Sequence, residues 1–104
     1  MAQKNVNGKT VDVNEEGYFT TPSQWEESMA KELAKEMGID ELTPKHVEVL
    51  KYLRDQESKG ASLTIRSVGK SGVVDAKEFY ALFPGGPLKK SSFIAGIPKP
   101  IGCI

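Results

Sequence analysis

Cysteine is almost absent: the 104 residues contain one, Cys103. A lone thiol closes no internal disulfide, so nothing in the chain calls for an oxidising compartment. Net charge is absent too, since 14 Lys and Arg balance 14 Asp and Glu. Without a global field, nucleic acid or a membrane surface is drawn only by a local patch. No apolar run approaches the ~18 residues of a membrane span. The opening MAQKNVNGKT is polar and lacks the apolar centre of a signal peptide. These absences read as a cytoplasmic protein that engages no membrane and does not bind nucleic acid directly. The only histidine, His46, has no second ligand beside it, so no metal site and no cofactor is expected. What is present, 38% hydrophobic and 27% charged residues, fits one soluble domain. A chain this long buries somewhat over ~60% of its unfolded surface, enough for one modest core.

Residues VNGKTVDV, Val6 to Val13, predict a hairpin, because Asn7-Gly8 suits a type I′ turn and Val11 and Val13 alternate with polar residues. Glu16-Gly17 turns the chain, and Tyr18 and Phe19 cover the edge of the core. TTPSQWEESMAKELAKEMG predicts the first helix, with Thr21 as N-cap, Pro22 at its start and Gln24 completing a capping box. Trp25, Met29, Leu33 and Met37 form its apolar stripe, and Gly38 its C-terminal cap. LTPKHVEVLKYLRDQESKG repeats the plan. Thr43 caps, Pro44 starts, Gly60 ends, and Val47, Leu50 and Leu53, with Val49 or Tyr52, form the buried face. A short helix carries Leu63, Ile65 and Val68. Asp75 caps another, with Phe79, Leu82 and Phe83 inward, and Pro87 opens a last one that Gly96 ends.

Beyond Gly96 the chain reads IPKPIGCI. Two prolines fix φ, remove backbone donors and push their predecessors towards extended conformations. The organisation is therefore a helical domain with an N-terminal hairpin, residues 1–96, and a flexible arm, residues 97–104, carrying the thiol. Extended, seven residues carry Cys103 up to ~23 Å from Gly96. Gly102 lets the backbone approach a partner closely. Lys89, Lys90 and Lys99 are the cations nearest the arm in sequence and favour a thiolate or persulfide anion. The terminal carboxylate opposes them.

The run LFPGGPLKKSSFIAGIPKPIGCI closely resembles the C-terminus of the DsrC/TusE family, the gamma-subunit-like proteins of dissimilatory sulfite reductase and their sulfur-relay relatives. The residues that carry it are Leu82, Phe83, Pro84, Gly86, Pro87, Lys89, Ile94, Ala95, Gly96, Pro98, Lys99, Pro100, Cys103 and Ile104. GKTVDVNEEGYF, the segment from Trp25 and LTPKHVEVLKYLRD extend it more weakly over nearly the whole chain. The resemblance implies a mainly α fold, a small orthogonal helical bundle with an N-terminal β-hairpin and an extended C-terminal arm. It implies that Cys103 takes up sulfur as a persulfide or reacts inside a partner. The implied partners are sulfurtransferase proteins of a sulfur relay, or dissimilatory sulfite reductase.

Three features depart from the family pattern. DsrC proper has a second arm cysteine where this chain has Ser92, which excludes a cycle holding sulfur between two thiols of one chain. The family's helix-two tryptophan is here Val47, after Lys45-His46. The stretch from Gly60 to Asp75 is shorter than usual. What the resemblance leaves is a TusE-like persulfide carrier rather than a stand-alone enzyme: Cys103 reacts, and Gly96, Pro98, Lys99, Pro100, Gly102, Lys89 and Arg66 form the arm and docking set. The alternatives are a sulfite-reductase gamma subunit and, against the balanced charge, a regulatory DNA-binding protein.

Overall fold

Strand β1 (Ala2–Val6) and strand β2 (Lys9–Val13) pair antiparallel, with Val6 opposite Lys9 and Ala2 opposite Val13. Asn7 and Gly8 take φ of 52° and 83°, the two left-handed positions that a type I′ turn requires. Val6, Val11 and Val13 are buried. The Asn14 side chain then accepts from the amides of Glu16 and Tyr18 at 2.9 and 3.0 Å, an Asx-type turn. This turn returns the chain so that Phe19 bridges to Val13. Tyr18 and Phe19 lie inside the core and not merely at its edge. The computed structural model describes residues 2–61 and 63–99.

The expected capping box at Thr21 and Gln24 does not form. Pro22–Gln24 make a single 3-10 turn, Thr21 makes no side-chain cap bond, and Trp25 and Glu26 are extended. Gln24 instead reaches the hairpin, accepting from the Asp12 amide at 2.7 Å and donating to the Asp12 carboxylate at 3.1 Å. Helix α1 (Glu27–Glu36) therefore starts two residues beyond the tryptophan. The apolar stripe survives in its middle: Met29 and Leu33 are buried with Ala30 and Ala34, while Trp25 and Met37 are only partly covered.

Helix α2 (Pro44–Ser58) begins as its sequence requires. Thr43 Oγ1 accepts from the His46 amide, and His46 Nδ1 accepts from the Thr43 amide at 3.1 Å. The other ring nitrogen, Nε2, donates to the Leu82 carbonyl at 2.8 Å, and the ring meets Phe83 edge-on at 5.1 Å. The histidine thus completes a cap and ties two helices together. Its buried companions are Val49, Leu50 and Leu53, whereas Val47 is only half-covered. The expected Leu50, Leu53 and Val49 thus face inward, and His46 takes the place expected of Val47.

Helix α3 (Ile65–Gly69) is capped by Thr64 and Ser67 and packs mainly on helix α4 (Ala76–Leu82), which Asp75 caps by accepting from the Glu78 amide at 2.7 Å. Val68, Phe79 and Phe83 are fully buried, while Leu63, Ile65 and Leu82 are partly covered. Each buried phenylalanine contributes about 1.5–3 kcal/mol by leaving water. Helix α5 (Pro87–Ala95) runs through the middle, against α1 and α2. Seven of its nine residues are buried, Ser91 and Ser92 among them. The architecture is mainly α, five helices with an antiparallel N-terminal hairpin among the described residues.

Candidate functional site at the root of the arm

The arm leaves from the C-terminal end of α5, where Gly96 sits in the left-handed region at φ 68°. The Ile97 amide donates to the Ser92 carbonyl at 3.3 Å and the Gly96 amide to the Phe93 carbonyl at 3.4 Å. This pair is a Schellman closure. Among the described residues it leaves the carbonyls of Ile94, Ala95 and Gly96 without backbone donors. Two side chains from distant elements take them. Trp25 Nε1 donates to the Ile94 carbonyl at 2.9 Å. Arg54 Nη1 donates to Ala95 at 2.9 Å and to Gly96 at 3.4 Å, while Nη2 donates to the Pro22 carbonyl at 3.0 Å. The guanidinium lies 4.4 Å from the Trp25 ring centroid, a cation–π stack that holds both side chains in register. Burial holds the Arg54 guanidinium below its ordinary pKa, with Glu57 acting in the opposite direction. A group that titrates so high still carries its charge at physiological pH, and that charge faces the negative end of the α5 dipole.

Gly96 is buried, and its packing admits nothing larger: a Cβ there would fall 2.1 Å from Trp25 Cδ1. Ile97, the first residue after it, is 1% exposed and belongs to the core. Pro98 and Lys99 emerge into solvent. Lys99 Nζ donates to both Glu16 carboxylate oxygens, at 2.8 and 3.0 Å, which ties the emerging chain to the turn after the hairpin. The same turn holds α5 from the side, with Tyr18 edge-on to Phe93 at 5.5 Å and its hydroxyl donating to the Lys89 carbonyl at 3.3 Å. Counted from the buried Ile97, six residues give Cys103 a reach of at most about 20 Å.

Pro100, Gly102 and Cys103 lie outside the described residues. Gly96, Pro98 and Lys99 lie together at the root. Lys89 is exposed on the first turn of α5, about 10 Å along the helix axis from Gly96, so nearness in sequence to the arm does not place it at the root. Arg66 is exposed on α3, on the part of the fold that packs mainly against α4. Ser92, at the position of the family's second cysteine, is fully buried, and its hydroxyl has no hydrogen-bond partner among the described residues. The residues missed from the sequence are Trp25, Arg54 and Glu16. Arg54 carried a faint signal, since it follows Leu50 by four positions and so flanks the buried stripe of α2.

The family described as "DsrC like protein" matches residues 5–104 of this chain. The gamma subunit of dissimilatory-type sulfite reductase from Nitratidesulfovibrio vulgaris is 32% identical over 105 residues, covering 100% of both chains. Sulfurtransferase TusE from Shigella dysenteriae is 37% identical over 105 residues, covering 93% of this chain and 95% of its own. The crystal structure of the oxidised gamma subunit of dissimilatory sulfite reductase from Archaeoglobus fulgidus superimposes with a TM-score of 0.80 at 33% identity, covering 99% of this chain and 100% of that one. With the hairpin, the central α5 and the Gly96 exit all in place, this chain belongs to the DsrC-like protein family.

Proposed function

We propose that the protein is a sulfur-relay carrier that holds sulfur as a persulfide on Cys103 and passes it between sulfurtransferases. The observation that supports this most is the pairing of the only thiol, one residue from the C-terminus, with an exit from the fold that is built into the core. Similarity to TusE over almost the full length agrees with it. The chemistry balances without a cofactor. The Cys103 thiolate attacks the outer sulfur of a donor persulfide R–S–SH, the donor S–S bond breaks, R–S⁻ leaves, and Cys103–S–SH forms. The outer sulfur keeps its oxidation state throughout. An acceptor thiolate then attacks that sulfur, and Cys103 leaves as thiolate.

In this reading the domain supplies reach and a docking face, not a reaction chamber. Pro98, Lys99, Pro100 and Gly102 make the inserted segment, and Lys89 and Arg66 meet the partner's rim. The relay operates in the reducing cytoplasm, where a lone thiol persists. Single-thiol transfer also suits a chain whose position 92 is a walled-in serine.

Incubation with glutathione persulfide, or with a persulfidated sulfurtransferase, should raise the intact mass by one sulfur, and Cys103→Ser should abolish the gain. An unchanged wild-type mass with donors that load a control thiol would sink the reading. A second reading, partnership with a sulfite reductase, rests on the full-length similarity to the gamma subunit. Affinity capture from native lysate separates the two by whether a reductase or a small sulfurtransferase is retained.

A further inference from the structure

Closing a helix end does not require a tryptophan, an arginine and a glycine that only hydrogen fits. The Schellman pair already satisfies two carbonyls of α5, and water ordinarily serves the rest. Here the three remaining acceptors meet donors from the segment before α1 and from α2. The guanidinium also grips Pro22, so both side chains share one clamp. Planarity matters: one fork reaches the carbonyls of Ala95, Gly96 and Pro22, and a lysine ammonium has no such fixed geometry. Ile97 is anchored directly beyond it, and Lys99 is then drawn to Glu16.

We propose that Trp25 and Arg54 are positioning residues for the Cys103 thiol: clamped on the Ile94, Ala95 and Gly96 carbonyls, they fix the direction in which the arm leaves the domain, towards Glu16. The inference rests on the relay reading only for why the direction matters. A carrier must enter a partner's cleft, and a tether with a fixed origin samples less space before docking. Small reagents have no such requirement. The clamp therefore governs delivery and leaves the intrinsic reactivity of the thiol alone.

The single cysteine makes the test clean. A nitroxide attached to Cys103 broadens backbone amide signals near it, and the pattern maps where the arm tip goes. In the wild-type chain, broadening should concentrate on one side, with its maximum around residues 14–18. Arg54→Gln and Trp25→Phe, examined in parallel as folded proteins, should each spread the broadening over several faces and cut that maximum at least twofold. Arg54→Lys should restore it only in part. Alkylation of unlabelled Cys103 by iodoacetamide should stay within twofold in all variants.

A wild-type pattern spread evenly over the surface overturns the proposal. So does a wild-type-like pattern in either folded variant. Should Arg54→Gln fail to fold, Trp25→Phe, which keeps an aromatic ring for the guanidinium and removes the indole N–H together with the five-membered ring, decides by itself. The relay reading is judged separately by sulfur uptake. A chain that loads sulfur but shows no directed arm loses only the clamp, and one with a directed arm that loads none loses only the relay.

Discussion

Helices α2 and α5 end with the same local device and reach opposite results. Each closes on a glycine in the left-handed region, Gly60 at φ 75° and Gly96 at φ 68°. In each, the residue after the glycine donates back to the helix, Ala61 to Gln56 and Ile97 to Ser92. At Gly60 the surroundings are open, with nothing within 4 Å of an added Cβ, and the chain moves off into solvent. At Gly96 the same backbone is pressed against Trp25, its carbonyls are held by Trp25 and Arg54, and the next residue is buried. A helix stop is therefore a local property, but a fixed exit direction is a tertiary one. Of these two ends, the one from which the chain continues towards its thiol is the one held by donors from distant elements.

The largest effect separating the two ends should come from alanine at the two glycines. Gly96→Ala adds a left-handed penalty of about 1–2 kcal/mol to overpacking of about 1–3 kcal/mol against Trp25. Its urea midpoint should fall by the equivalent of about 3 kcal/mol. Gly60→Ala should lose only the first part, about 1 kcal/mol. Equal losses at the two sites would show that the Trp25 contact does not constrain Gly96. Next in size is Arg54→Met, which strands the Ala95 and Pro22 carbonyls and should cost about 2 kcal/mol. A loss near zero in the same titration would mean that water serves those acceptors equally well.

A smaller change should run the other way. The Ser92 hydroxyl is buried without a partner among the described residues, so Ser92→Ala should raise stability by about 1 kcal/mol. A loss instead would point to a partner for that oxygen in solution. Smallest is Glu16→Gln. Its pair with Lys99 is substantially exposed, so global stability should change by no more than about 0.5 kcal/mol. Any redistribution of the labelled arm that this substitution causes should fade at high salt.

Much of the fold was legible because its signals are local. The Asn7-Gly8 turn, the Thr43 and Asp75 caps and the stops at Gly38, Gly60 and Gly96 need only a few neighbouring residues, and all are present. The start of α1 departs from its local signal for the complementary reason. Thr21, Pro22 and Gln24 are a sound local start signal, yet the gain from seating the Trp25 indole on α5 outweighs one turn of helix, and Gln24 pairs with Asp12 instead. On α2 the expected Leu50, Leu53 and Val49 face inward, but the first turn buries His46 and not Val47, since helical period alone leaves the angle of the buried face loose by about one residue. His46 is the third residue of α2, where a bond to the cap needs only neighbouring residues. The local bond is there, but the ring is buried because Leu82 and Phe83 meet it.

By itself, the sequence determined the helical class, the hairpin, the helix ends, the lone thiol at the C-terminus and the family that this ending marks. These are encoded in neighbouring residues, through turn geometry, capping and the conformational limits of glycine and proline. Only the tertiary structure decided that Trp25, Arg54 and Glu16 gather where the chain leaves α5, from positions 71, 42 and 80 residues before Gly96, respectively, because no local rule spans such separations. It decided as well that Lys89 lies a helix length from that root and that Ser92 is sealed in the core. The physical reason is common to all of them: which side chains meet is set by how the helices pack, and packing depends on the whole set of buried faces at once.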